Sequence, residues 1–317
     1  YSHPISTHIV NLNCGATCDF CLMDVRGEDK VRRIIKQKGN SVFLQPEDHV
    51  AFYRAMHIAY GCRVATVQGR DAWYDTIGKR ASYALMQATK DDGSYFASVT
   101  NGIGVTDDVI KAHVDNPHAY LLLSLDAASD KHDDMRGVHL LFEHIEAVIA
   151  KMLAAGLENR LTVTSIYFPG CERNLLDLLD FLIEIGVTSW SVNPFINELM
   201  SFEYHNLQLA QPPVNMCETI SHLREKASKH NISLHIAPEF EYFVAGFIDK
   251  EKYYASLFLS KPGFTTRLQP HGMISYGSDI MHPTRKDTIA WNPREERPED
   301  ALTRLLAHYE NLLALSA

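Results

Sequence analysis

LTVTSIYFPGCERNLLDLLDFLIEIGVTSWSVN, residues 161–193, reads as a strand, a helix and a second strand in that order. Residues 161–168 are rich in branched and aromatic side chains and end at Pro169-Gly170, the punctuation of a strand. Residues 174–185 then switch to helical spacing, with Leu175, Leu178, Leu179, Leu182 and Ile183 on one apolar stripe that stops at Gly186. Residues 189–193 return to strand texture. A strand, a crossover helix and another strand make a parallel pair, because the helix must return the chain to the same end of the sheet.

The same texture runs upstream. Strands are predicted at 7–12, 63–68, 95–100 and 120–125, and helices at 47–59 behind Pro46, at 107–114, and at 140–155 closed by Gly156. Six such alternations predict an α/β protein, a partial (β/α)6 TIM-like barrel that stays open because eight units are needed for closure. Functional residues in such barrels gather on the loops at the C-terminal ends of the strands. After about residue 200 the pattern changes. A helix is predicted near 214–229 behind Pro212-Pro213, a strand at 232–236, an aromatic segment over 240–258, a β-hairpin around Pro270-His271-Gly272, and a last helix at 298–313. The division expected is a barrel over 1–200 and a C-terminal α+β extension over 201–317.

The 317 residues are 46% hydrophobic and 22% charged, the balance of a chain with a substantial core. A formal charge of −9 argues against nucleic acid as a partner, since polyanion binders present a basic face. No run of about twenty apolar residues suggests a membrane span. The six cysteines are sparse: three crowd into residues 14–21, while Cys62, Cys171 and Cys217 stand alone. A secreted disulfide scaffold would be short and cysteine-dense, so the expectation is a set of thiols in the cytoplasm. The first residue is Tyr1 rather than Met, which leaves room for preceding sequence.

Cys14-Gly-Ala-Thr-Cys18-Asp-Phe-Cys21 directly follows the first predicted strand, at the mouth of the barrel. Three thiolates on one tight loop suit a cubane cluster, each holding one iron and leaving the fourth iron open. The alternative metal is zinc, which needs a fourth protein ligand such as His8 or His57.

The C-x3-C-x2-C spacing, with Phe20 before the last cysteine, resembles the radical S-adenosylmethionine (SAM) superfamily, most closely its sulfatase-maturase and molybdenum-cofactor branch. The resemblance runs over about residues 6–200 and has further anchors in the right order. These are Gln68-Gly69-Arg70-Asp71 after the second strand, Thr100-Asn101-Gly102 after the third, Ser124-Leu125-Asp126 after the fourth, and His132-Asp133-Asp134-Met135-Arg136-Gly137 beyond it. It implies a [4Fe–4S] cluster on Cys14, Cys18 and Cys21, with SAM as second cofactor. Gln68 and the Gly69 backbone would face the methionine amino group, Ser124 the ribose and Arg136 the carboxylate. Asn101 and Ser165 join the same cofactor-binding set. Arg70-Asp71 stands where the family has Gly-Glu, adding a cation that either points away or touches SAM or an anionic substrate.

The family's shared first step, by this resemblance, is reductive cleavage of SAM to methionine and a 5′-deoxyadenosyl radical, which takes a hydrogen atom from a substrate C–H bond. An external one-electron reductant of flavodoxin or ferredoxin type is implied. Leu268–Ser275 resembles the hairpin of the family's SPASM/twitch-like extension, yet residues 218–317 hold no cysteine, so no second cluster is expected. Without a second electron acceptor, redox-neutral or reductive outcomes are favoured: epimerisation, elimination, decarboxylation or rearrangement. Cys171, at the mouth end of the fifth strand, is the candidate hydrogen donor, and Tyr167, Glu172, Asn193, Asn197 and Glu198 are candidate substrate contacts. Cys62 and Cys217 read as core. The substrate expected is a small molecule such as a sugar, nucleoside or aminoglycoside-like compound. A peptide or protein side chain is the alternative enzyme reading, and a non-catalytic Fe–S or zinc protein is the third.

Overall fold

A computed structural model describes residues 4–18, 21, 42–68, 70–167, 170–194, 216–236, 265–276 and 288–316. Among the described residues, ten strands form one sheet in the order β10-β9-β8-β1-β2-β3-β4-β5-β6-β7. The first six are β1 (Ile5–His8), β2 (Val64–Val67), β3 (Tyr95–Thr100), β4 (Ala119–Ser124), β5 (Leu161–Tyr167) and β6 (Ser189–Pro194), followed by β7 (Ser233–Ile236). Each pairs in parallel with the next. This is the α/β, partial TIM-like architecture that the alternation predicts. Strands β8 (Thr265–Leu268), β9 (Met273–Tyr276) and β10 (Thr288–Ala290) form an antiparallel meander, and β8 docks in parallel on β1. The hairpin about Pro270 is therefore as expected, closed by Gly272 at φ +73°. Its attachment to the first strand was not foreseen. Strands from both sides of residue 200 thus share one sheet.

The crossover helices are α1 (Pro46–Tyr60), α2 (Thr76–Asp91), α3 (Asp107–Asp115), α4 (Lys131–Arg136), α5 (Leu141–Ala154) and α6 (Glu172–Ile185), with α7 (Met216–Lys229) and α8 (Pro298–Ser316) after β6 and β10. Helix α2 escaped the sequence reading. Its buried face is made of Gly78, Ala81, Ser82, Leu85, Met86, Ala88 and Thr89, and small and hydroxylic residues blur an apolar stripe. The Asp75 carboxylate caps it by accepting the Gly78 N–H at 2.7 Å. Strand β1 is also shorter than predicted. Ile9 and Val10 are buried after the strand has ended, so their apolar character marks the core and not the ladder.

All three tryptophans are fully buried, and each indole N–H finds an acceptor: Ser98 Oγ for Trp73, Ser165 Oγ for Trp190 and the Glu296 carbonyl for Trp291. Gly104, in the loop after β3, lies so close to the Trp73 carbonyl that a Cβ would collide with backbone. The loops at the mouth are locked to one another by such contacts.

Three of the buried histidines show how the fold becomes acid-sensitive. Burial holds His8 well below the usual imidazole range, with the facing His49 adding to the effect, and lowers His49 to about 3 and His113 to about 4. All three are neutral when folded, while the unfolded chain takes up a proton on each near pH 6.5. Stability is therefore full above pH 6.5 and falls as pH drops toward 4, by about 1.4 kcal/mol per pH unit per histidine. Urea midpoints measured from pH 7.5 down to 5 should fall steeply, and less steeply in His49→Gln. A flat profile would show that these imidazoles are not the cause. No helix among the described residues is long and apolar enough to cross a membrane.

Candidate functional site

The chain leaves β1 at the C-terminal edge of the sheet and reaches the three cysteines. Cys14, Cys18 and Cys21 are all half-buried there. The Cys21 N–H donates to the Cys18 carbonyl at 3.1 Å, and the Thr17 N–H to the Arg136 carbonyl at 2.9 Å, so the loop is tied to the end of α4. Gly137 follows at φ +63°, and a Cβ there would strike the Thr17 hydroxyl. Only glycine permits both that backbone conformation and that approach.

Donors converge on two of the sulfurs. Asn101 Nδ2 donates to Cys14 Sγ at 3.1 Å, and the Ala16 N–H reaches the same sulfur at 3.4 Å. The Asn101 Oδ1 accepts from the Ile103 N–H at 3.0 Å, which leaves the amide only one orientation, nitrogen toward sulfur. Arg136 Nη1 lies 3.8 Å from Cys18 Sγ. Burial nonetheless pushes the Cys14 thiol up to about 11, with nearby Asp71 and the other two cysteines adding to the shift. Burial raises Cys18 too, against the pull of Arg136. Two thiols that resist ionising on their own, yet face N–H donors suited to thiolates, fit a cationic iron centre that would supply the missing positive charge.

The remaining predicted residues surround this loop unevenly. Gln68 follows β2, its N–H bonded to the His8 carbonyl at 3.0 Å, and Ser124 ends β4; both are half-buried at the mouth. Arg70 is half-buried. Gly69, Asn197, Glu198 and the Cys217 side chain lie outside the described residues. Tyr167 donates its hydroxyl proton to Glu172 at 2.7 Å, and Asn193 is half-buried in β6. Cys62 is core, as expected, with its thiol directed at the Val64 carbonyl.

Three expectations need correction. The Ser165 hydroxyl is buried, commits its proton to the Leu125 carbonyl and accepts from Trp190 at 2.8 Å, so it braces β4 against β6 instead of facing a cofactor. Cys171 does sit after β5, but it is 1% exposed and its thiol faces the Ile166 carbonyl at 4.0 Å. Because α6 begins there, the side chain turns into the core and is shut off from a substrate at the mouth. Arg136 is buried as well. Its Nε and Nη2 both donate to Asp126 Oδ2, at 2.9 and 2.5 Å, so the fork assigned to the SAM carboxylate already holds a carboxylate of the protein.

Asp126 and Asp71, quoted in the sequence only as parts of motifs, are the residues to which sequence reasoning gave no role. Asp126 also accepts the Ile166 N–H at 2.9 Å, joining β4, β5 and α4 at one carboxylate. The Asp71 Oδ1 accepts from the Thr100 hydroxyl at 2.8 Å and the Trp73 N–H at 3.0 Å. Burial raises its pKa to about 6. The available signal was an acid placed just after a strand end in each case, which does not reveal its partner.

The profile of the Radical SAM superfamily matches residues 9–182, more than half of the chain. The chain belongs to the radical SAM superfamily. Its cofactors are accordingly a [4Fe–4S] cluster and S-adenosylmethionine, and the three cysteines just described are those that fit the cluster. Comparison with the curated proteins gives no match. Among solved structures, SuiB of Streptococcus suis bound to S-adenosylmethionine has a TM-score of 0.64 at 13% identity, over 86% of this chain and 60% of that one. SuiB bound to its precursor peptide SuiA gives 0.66 at 13%, over 94% and 64%. The native anSMEcpe with AdoMet and the Cp18Cys peptide gives 0.63 at 13%, over 93% and 78%. The chain thus spans about three fifths of the length of SuiB, and at this identity the likeness is one of fold.

Zinc, the competing metal of the radical SAM cysteines, finds no support in the histidines proposed to complete it. His8 engages Ser6 Oγ at 2.8 Å and His49 at 3.3 Å, and His57 Nδ1 is held by the Cys62 carbonyl at 2.7 Å. Among the described residues, no three His, Cys, Asp or Glu side chains converge as they would around a single ion.

Proposed function

We propose that this chain reductively cleaves SAM at one [4Fe–4S] cluster and abstracts a hydrogen atom from a small molecule, such as a sugar, nucleoside or aminoglycoside-like compound. The observation that carries the reading is the Cys14–Cys18–Cys21 loop, with Asn101 and Arg136 donating to two of its sulfurs. When bound, cluster and SAM would supply a 5′-deoxyadenosyl radical. The protein's own residues hold and shield it. Gln68, Gly69 and Ser124, at the ends of β2 and β4, face SAM in this reading, with Arg70 beside them, while Asn101 and Arg136 serve the cysteines. Tyr74 and Ile103, whose side chains lie against the cysteine loop at Gly15, would help confine a radical to the carbon placed beside it.

In the same reading, residues 1–200 are the catalytic barrel and 201–317 a SPASM/twitch-like extension that has lost its cluster, since 218–317 hold no cysteine. That favours redox-neutral or reductive outcomes: epimerisation, elimination, decarboxylation or rearrangement. The electron comes from a flavodoxin or ferredoxin-like donor. A second reading, modification of a peptide or protein side chain, draws support from SuiB and anSMEcpe, both of which have structures with peptides bound.

The test is anaerobic reconstitution with iron and sulfide, then incubation with SAM and dithionite. Release of 5′-deoxyadenosine, accelerated by the true substrate and carrying its deuterium, is the expected result. Fully loaded protein that releases none would overturn the proposal. Acceleration by a co-purifying peptide, and by no small molecule, would select the second reading.

A further inference from the structure

We infer that Asn101 and Arg136 are positioning residues for the cluster: their N–H groups, fixed on Cys14 and Cys18, raise its reduction potential and so ease its one-electron reduction. This rests on the reading of the three cysteines as cluster ligands. Reduction adds a negative charge that spreads onto the thiolate sulfurs, and a hydrogen bond to sulfur stabilises the more negative state.

Both donors are held in place by further contacts. Asn101 is 4% exposed, and its Oδ1 is engaged by the Ile103 N–H. The turn that carries it is pinned on both sides: the Thr100 hydroxyl accepts the Gly102 N–H at 3.0 Å, and His144 Nε2 meets the Gly102 carbonyl at 3.0 Å. Arg136 is fixed from behind by Asp126, which takes Nε and Nη2 and leaves Nη1 toward Cys18. The pair is neutral overall, yet its positive end faces the sulfur. Asp126 is itself set by the Ile166 N–H and by His132, whose Nδ1 accepts the Asp126 N–H at 3.1 Å. A rigid acid behind a basic group is a way to aim a charge-assisted donor without placing net charge in the core.

The experiment is an EPR-monitored redox titration of the reconstituted full chain without SAM. Asn101→Ala removes the donor to Cys14. The paired exchange Asp126→Asn with Arg136→Gln removes the donor to Cys18 and keeps the buried pair neutral. At the ambient potential where half of the wild-type cluster is reduced, the reduced-to-oxidised ratio should fall roughly fivefold in Asn101→Ala, and further in the paired exchange, where the donor is charged. Should Asn101→Ala fail to fold, Asn101→Ser tests the same donor in a smaller polar side chain, with the same fall expected. Unchanged ratios at full iron load overturn the inference, as does a variant that loads less iron but titrates at the wild-type potential. A wild-type protein with no cubane signal would instead sink the cluster reading beneath it.

Discussion

Alanine in place of Cys14, Cys18 or Cys21 is expected to abolish SAM cleavage and to strip most of the iron. Groups that only hydrogen-bond to the ligands of a metal site already cost about 10–100-fold when removed, so loss of a direct ligand should exceed about 100-fold. The mechanism of the loss is specific. Cys14 and Cys18 are half-buried and hard to ionise, so the centre forms only when the metal bonds together offset that cost. Cys171→Ala is the control. Its thiol lies in the core, so iron loading and SAM cleavage should survive, with a stability loss of about 1 kcal/mol. Iron content and 5′-deoxyadenosine release, measured on all four variants, check both halves. A triple alanine variant that kept a full iron load would mean that these residues are not the ligands.

The second large effect is on stability. Asp126→Ala leaves the buried Arg136 guanidinium without its carboxylate and orphans the Ile166 N–H, and should cost roughly 3–5 kcal/mol. Removing one partner is worse than removing both, because the stranded charge has no water to return to. Urea unfolding should show this as a fall in midpoint without a change in slope. Asp300→Ala, which breaks the exposed pair with Arg297, should move the midpoint little. Equal effects from the two substitutions would mean that water reaches the Arg136 pair.

Much of this protein is written locally and can be read without coordinates. The stripe over 174–185 and the strands either side of it suffice for a parallel pair, because a period of 3.6 between two runs of strand texture leaves little else. Helix α2 shows where that legibility ends. Its inward face is built from Gly78, Ala81, Ser82 and Thr89, chosen for closeness to β2 and β3 and not for hydrophobicity. The cluster loop was legible because its ligands are neighbours in the chain. Ser165 and Cys171 were misjudged because a position at a strand end fixes neither the rotamer nor the depth of a side chain.

The sequence alone determined the βα alternation, the three-cysteine loop and the order of the polar strand ends, since each depends on residues within a few positions of one another. Only the tertiary structure decided that β8 closes onto β1, that Ser165 braces Trp190, and that Arg136 is spent on Asp126 and Cys18. These pairings join residues ten to more than two hundred and fifty positions apart. A side chain's partner is set by which backbones the packed core brings within about 3 Å, and no local pattern carries that information.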